Sequence, residues 1–351
     1  MPADDIAAPK DQVPVYLDHS ILNQLLKGRH KLKKLLRRDA LQVVYSDENF
    51  NEISKSLGCE QDFLSLLSGL NAAYLRPILN EQFHLTDRSS IETVEPTAAY
   101  AAYIANRNET PSCDGGMRDL LKKFYGGHPN KTFGEIVQSG QEEVVGLLDT
   151  LARELSSKAV PPEIDASAFL QALPQVKQEL ASMSDVLGQQ LDAEELHANV
   201  KAIDTELVIG PRELNYIKGP DVLKQIWNRI LNKLPGGAVT FDEFFGLVRP
   251  RWVADDRPLT KLEQINAIYH QLNFLGYHRD EKMNCRFDAS FSDLTHAGMG
   301  SFCHLFLSGD QRLVRKAEAT YEYLGIGTVV HYVPPEKRSG PQPSNGTQAP
   351  D

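Results

Sequence analysis

The 351-residue chain lacks several features that would mark whole classes of protein. Its four cysteines, Cys59, Cys113, Cys285 and Cys303, form no C-x-x-C pair and show no metal-ligand spacing. That excludes a zinc ribbon or a thioredoxin-type centre and leaves reduced core or surface thiols, as expected in cytosol. No run approaches the roughly 18 consecutive apolar residues of a membrane span, so no membrane is expected among its partners. The opening MPADDIAAPKDQ has no basic segment followed by an apolar one, so no secretion signal is expected and the expected location is cytoplasmic. No fixed-period repeat is present, which excludes a solenoid. Positive charge is in deficit, with 37 Lys and Arg against 47 Asp and Glu and a net charge of −10. The surface as a whole is therefore no nucleic-acid platform, although a local basic patch remains compatible with that total.

The hydrophobic fraction of 41% is enough for a sizeable core, in one large domain or two. Residues 13–18, VPVYLD, read as a strand with Asp18 at its C-terminal tip, followed by apolar residues at helical spacing from Ile21 to Leu36. Lys27, Lys31, Lys34 and Arg38 recur along one side of that helical pattern, opposite Leu25, Leu32 and Leu36. Such a run is either a solvated helix face or a phosphate-contacting face beside a site. Gly28 within it allows a break or a restart. A second strand, Leu41 to Tyr45, ends in Ser46, a natural N-cap with Asn49 at the third helical position. Glu52 lies a turn and a half into the following helix and is expected near the sheet edge that Asp18 occupies.

From about 58 to 270, apolar residues at three- and four-residue spacing predict a mostly helical insertion over 60–79, 96–106, 117–125, 134–157, 166–191, 220–233 and 260–275. Short strands at 82–86 and 91–95 are weaker expectations. The stretch Arg249 to Arg257 joins three arginines to Trp252, which would either anchor a loop or stack on a base. The pattern then returns to α/β. A helix is expected over 292–301, opened by Ser292 and Asp293, then a strand at 304–307, a helix at 311–324 stopped by Gly325, and a strand at 328–333. Small residues Ala297, Gly298, Gly300 and Ser301 would let the 292–301 helix lie close to the sheet. The Pro-, Ser- and Gly-rich 334–351 reads as a disordered tail.

Taken singly, Asp18, Asp293 and Asp310 each read as a cap, turn or loop acid, and Glu52 as a first-turn acid. Taken together with Glu52, they are four acids on strand ends and helix starts, where open α/β sheets bind ligands. At about 4 Å and an effective dielectric near 20, each carboxylate pair would repel by roughly 4 kcal/mol. Divalent cations relieve that repulsion, and oxygen ligands suit Mg²⁺ or Mn²⁺. Such ions turn bound water into a nucleophile for phosphodiester displacement.

In VPVYLDHSILNQLL, VVYSDENFNEI, SDLTHAGMG and FLSGDQRLVRKA, taken in this order, the chain resembles the PIN-domain nuclease family. The resemblance implies a three-layer α/β PIN-like fold with a mainly parallel sheet made by both chain ends. Its core would be residues 12–57 and 287–333, with a helical insertion at 58–286 and the tail at 334–351. It also implies that Asp18, Glu52, Asp293 and Asp310 are catalytic and hold Mg²⁺ or Mn²⁺, with Ser308 at the family's hydroxyl position. His296, one turn after Asp293, reads first as a packed or surface histidine and second as a support for those ligands. The implied activity is that of a metal-dependent endoribonuclease acting on single-stranded or structured RNA, with Lys27, Lys31, Lys34 and Arg38 binding the nucleic acid. A toxin or defence role, with an inhibitor or antitoxin protein as partner, belongs to the same implication. The competing expectations are a PIN-like module that binds nucleic acid or protein without cleaving, and a flap-type DNA nuclease, which the lack of a helix-hairpin-helix motif disfavours.

Overall fold

In the computed structural model, residues 12–109, 115–157, 166–193, 210–233, 239–249, 257–279 and 283–336 are described. Their elements in chain order begin with β1 (Val13–Leu17), α1 (His19–Leu26), α2 (His30–Leu36), β2 (Leu41–Tyr45), α3 (Asp47–Ile53) and α4 (Glu60–Gly69). A hairpin follows, β3 (Ala73–Leu79) and β4 (Leu85–Glu92), then α5 (Pro96–Glu109), α6 (Gly115–Phe124), α7 (Phe133–Ser157) and α8 (Ala166–Ala193). The short α9 (Pro211–Leu214), α10 (Val222–Ile230) and α11 (Phe241–Phe244) precede α12 (Lys261–Leu275) and α13 (Met283–Gly300). The chain closes with β5 (Leu305–Ser308), α14 (Gln311–Leu324) and β6 (Val329–Tyr332).

The six strands form one sheet in the order β4-β3-β2-β1-β5-β6, parallel throughout except for β4 against β3. The fold is therefore α/β with a mainly parallel sheet. Strand β1 is central, and its residues Val15, Tyr16 and Leu17 are almost wholly buried, as a parallel strand covered on both faces must be. Alternation decides which face each side chain meets. Val15, Leu17, Val43 and Tyr45 pack with Ile21, Leu22, Leu25, Phe50 and Phe63 on one face. Tyr16, Val44 and Phe306 pack with Ile265, Tyr269, Leu294, Ala297 and Leu313 on the other. A third cluster joins α9, α10 and α11 to α12 and α14 through Leu214, Ile226, Phe245 and Ile268.

Several local expectations hold in the structure. Gly28, at a φ of +94°, separates α1 from α2. Ser46 and Asn49 cap α3 reciprocally, and Gly325 ends α14 in the left-handed conformation. The small residues bring α13 close to its neighbours: a Cβ on Gly300 would stand 2.8 Å from the Phe306 ring, and one on Gly298 2.5 Å from Leu262.

Other expectations are corrected. The helix expected over 60–79 stops at Gly69; Asn71 turns the chain at a φ of +51°, and Ala73–Leu79 is a strand beside β2. Its partner β4, LTDRSSIE, is polar because it is an edge strand. The sheet is thus not made by the chain ends alone, since the segment read as helical contributes two of its six strands. Helix α12, from the same segment, packs directly on the sheet through Ile265 and Tyr269. The helix expected to start at Ser292 starts at Met283, so Asp293 lies well inside α13. Its upstream turns are held by burial of Phe287 and Ser290, and Ser292 donates its hydroxyl to Glu48 rather than capping a helix. Trp252 and most of the 334–351 tail lie outside the described residues. Arg249 and Arg257 both bind the Glu263 carboxylate, at 2.9 and 2.7 Å.

Candidate functional site

Strand order reverses between β1 and β5: the chain winds one way from β1 to β2 and β3, and the other way from β5 to β6. Loops leaving such neighbouring strands diverge and open a crevice at their carboxyl ends. Asp18 stands immediately after β1 and Asp310 two residues after β5, so the topology brings both acids to that crevice.

Each aspartate is also a helix N-cap. Asp18 accepts from the Ile21 amide at 3.0 Å, and Asp310 from the amides of Arg312 and Leu313 at 2.7 and 3.2 Å. Two hydroxyls join the strand ends. Ser20 donates to Asp18 Oδ1 at 2.6 Å and accepts from the Gly309 amide at 2.7 Å. Ser308 donates to Asp18 Oδ2 and accepts from the Asp310 amide at 2.9 Å. The close approach needs glycine, since a Cβ on Gly309 would sit 2.6 Å from both Ser20 Oγ and Gln24 Nε2. Burial raises the Asp18 pKa, against the opposing pull of His296 and of the hydrogen bonds from Ser20, Ser308 and Ile21.

Asp293 enters from α13. Burial pushes its carboxyl up to about 7 against the attraction of Lys316 and His296, and repulsion from Asp310 and Asp18 adds to the rise. No hydrogen bond reaches its carboxylate among the described residues, and both bonds to Asp310 fall on Oδ1. Lys316 is itself buried, 2% exposed, with its ammonium 2.6 Å from Asn273 Oδ1 and over the Tyr269 ring.

Glu52 goes elsewhere. Its Oε2 accepts from His296 Nε2 at 2.8 Å, with His19 Nδ1 at 3.9 Å. The other His296 nitrogen lies 2.8 Å from the Tyr16 hydroxyl, which is 2.8 Å from Ser46 Oγ. Burial disfavours a charged His296, but Glu52, with Glu48 and Asp18, raises it to about 9. The imidazole is therefore an imidazolium at neutral pH, donating Nε2–H to Glu52 and Nδ1–H to Tyr16. Burial works to raise Glu52, and His296 overcomes it, helped by His19 and Ser292, so Glu52 titrates below the usual carboxylate range. Burial lowers His19.

The four predicted acids therefore form two unequal groups. Asp18 and Asp310 meet in the crevice through Ser308, Asp293 interacts with both electrostatically, and Glu52 pairs with His296. Among the described residues no three His, Cys, Asp or Glu side chains stand ready around one ion. In donor chemistry the three aspartates nonetheless fit a hard divalent cation. They offer oxygens only, the hydrogen bonds to Asp310 among the described residues leave Oδ2 unused, and the carboxylates repel one another. Glu52 adjoins that set through His296 and His19, with its Oε2 held by the His296 imidazole.

The basic run is placed away from these acids. Lys27 caps the C-terminal end of α1, Lys31 and Lys34 lie on α2, and Arg38 follows it; all four are exposed. Parallel pairing of β1 with β2 requires this crossover to return to the opposite edge of the sheet. Ala40 there accepts from the Val13 amide at 2.9 Å, so Arg38 stands at the edge opposite Asp18.

Sequence reasoning missed Glu48, Ser20, Tyr16 and Lys316. Glu48 precedes Glu52 by four residues, one helical turn, and that spacing was a usable signal. Lys316 carried none, because its burial depends on α12. Comparison of the chain with protein-family models, with curated proteins and with solved structures finds no match. No helix among the described residues is long and apolar enough to cross a membrane.

Proposed function

We propose that this protein is a metal-dependent phosphodiesterase that cleaves nucleic acid, RNA being the expected substrate, on a PIN-like arrangement of its α/β core. The observation that carries the reading is the meeting of Asp18 and Asp310 on neighbouring strands at the reversal of strand order, tied through Ser308, with Asp293 close enough to be repelled by both. Asp18, Asp293 and Asp310 would hold a Mg²⁺ or Mn²⁺ ion, which supplies an activated water and charge for the phosphate. The chain's own residues set up that chemistry. Ser20 and Ser308 orient the Asp18 carboxylate, the α14 N-terminus orients Asp310, and buried Lys316 balances part of the charge on Asp293. His296 balances Glu52, so Glu52 acts through the shape and field of the site.

The test is cleavage of single-stranded RNA by purified protein with Mn²⁺ or Mg²⁺, with EDTA as the control. Asp18→Asn and Asp310→Asn should each abolish cleavage while leaving RNA binding intact or tighter. One observation favours a second reading, a module that binds nucleic acid or protein without cutting: Glu52 is already neutralised by His296. Binding of RNA with a broad RNA and DNA panel left intact in either metal would decide for that module.

A further inference from the structure

Between the start of α3, the middle of β3 and one face of α13 lies a cavity of about 550 Å³ that the cleavage reading leaves without a role. Its lining includes apolar Leu75 and Met299 and the aromatic Phe291 and Tyr103. Arg118 lies against Phe291, its guanidinium carbon 5.5 Å from the ring centroid. That guanidinium is held by two bonds to Asp288 Oδ1, at 3.1 and 2.7 Å, and Asp288 also has Lys122 at 3.5 Å. Asp47 and Glu48 also line the cavity. Carboxylates there disfavour a phosphate inside the cavity, whereas a flat uncharged ring with polar edges meets a stacking surface and hydrogen-bond acceptors. Phe291, Ser292, Thr295 and Met299 line the cavity from one face of α13, and Asp293 stands on the same turn of that helix. Exposed Arg107 at the mouth is placed for a flanking phosphate.

We infer that this cavity receives one unstacked nucleobase of a single-stranded nucleic acid, gripped by Phe291 and Tyr103, and so fixes which linkage reaches Asp18, Asp293 and Asp310. The inference rests on the proposed function for what the base does there, but not for whether it binds. Stacking of a base on an aromatic side chain is sequence-tolerant and removable by substitution. The probe is a labelled five-nucleotide single-stranded RNA and its five abasic versions, titrated against Asp18→Asn protein so that nothing is cut. One abasic position should weaken binding by roughly 5- to 150-fold. Phe291→Leu in the same background should weaken the intact RNA to that level and bind all six RNAs alike. Arg118→Gln, on the surface side of the ring, serves if Phe291→Leu melts early, and should blunt the same position selectively. The inference is overturned if all abasic RNAs bind like the intact one, if the substitutions keep the positional pattern, or if no RNA binds. A positional pattern that follows Phe291 in a protein whose wild type cuts nothing would overturn the cleavage reading alone.

Discussion

The two halves of the carboxylate edge solve the same electrostatic problem differently. On the β2 side, Glu52 and Glu48 surround a buried imidazolium, so the chain carries its own counter-charge; His296 is 2% exposed and bonded at both nitrogens. On the β1–β5 side, Lys316 and the more distant pull of His296 act on Asp293, no hydrogen bond reaches its carboxylate among the described residues, and burial with repulsion from Asp310 and Asp18 pushes it up to about 7. The carboxylates of one half are met by side-chain donors, Glu52 by His296 and Glu48 by Ser292 and Asn51, whereas Asp293 in the other is met only by charge at a distance. That difference distinguishes a structural polar cluster from a place for a ligand ion, because a carboxylate left unbalanced costs stability that only function repays.

The sharpest way to break the comparison is to remove one acid from each half and follow cleavage. Asp18→Asn should lower the rate at least about 100-fold, in line with the loss of a charge-stabilising group at a reacting centre. Glu52→Gln, if Glu52 only balances His296, should lose far less; equal losses would place Glu52 among the ion's ligands after all. Next comes the ion itself. Mn²⁺ that binds only the folded state should add about 2.7 kcal/mol at a hundred times its Kd, measured as a rise in denaturation midpoint.

A smaller effect is expected without metal. An acid whose folded pKa is raised stabilises the fold below its unfolded pKa and loses that contribution as pH rises through the folded value. For Asp293 the loss spans about pH 4 to 7. Asp293→Asn should therefore raise stability at pH 7.5 by about 1–3 kcal/mol in metal-free buffer. An unchanged or lower midpoint in urea would show that Asp293 is already balanced. His296 follows the same sign in another window. Its contribution is complete below the ordinary histidine pKa and is lost as pH rises through about 9. Melting temperature should fall from pH 7 to 9.5 in wild type, and His296→Gln, less stable at pH 7, should flatten that slope. The smallest effect concerns the far edge. Changing Lys27, Lys31, Lys34 and Arg38 together to Gln should reduce the salt dependence of RNA binding by up to about 0.7 per lost phosphate contact. An unchanged slope would make these residues a solvated face.

Legibility in the sequence followed the range of the interactions. Asp18 and Asp310 were readable because the signals are local: an apolar strand, then an acid that caps the next helix. The α3 cap and the Gly325 stop were readable for the same reason. Asp293 was found as a residue but misplaced as a helix start, since upstream turns of α13 are fixed by packing. The pairing of Glu52 with His296 joins positions 244 residues apart, which no local pattern encodes. Strand β3 was missed because the apolar residues on both sides masked the stop at Gly69 and the turn at Asn71, after which pairing with β2 holds AYLRPIL as a strand. The basic run was visible, but its distance from the acids follows from the parallel crossover.

The central claim is that Asp18, Asp293 and Asp310 share a divalent cation that Glu52 and His296 do not need. Titration calorimetry of the metal-free protein with Mn²⁺ tests it most directly. The account predicts saturable heat in wild type and in Glu52→Gln, and none in Asp293→Asn. No heat from wild type at millimolar Mn²⁺, or heat that persists in Asp293→Asn, would contradict it.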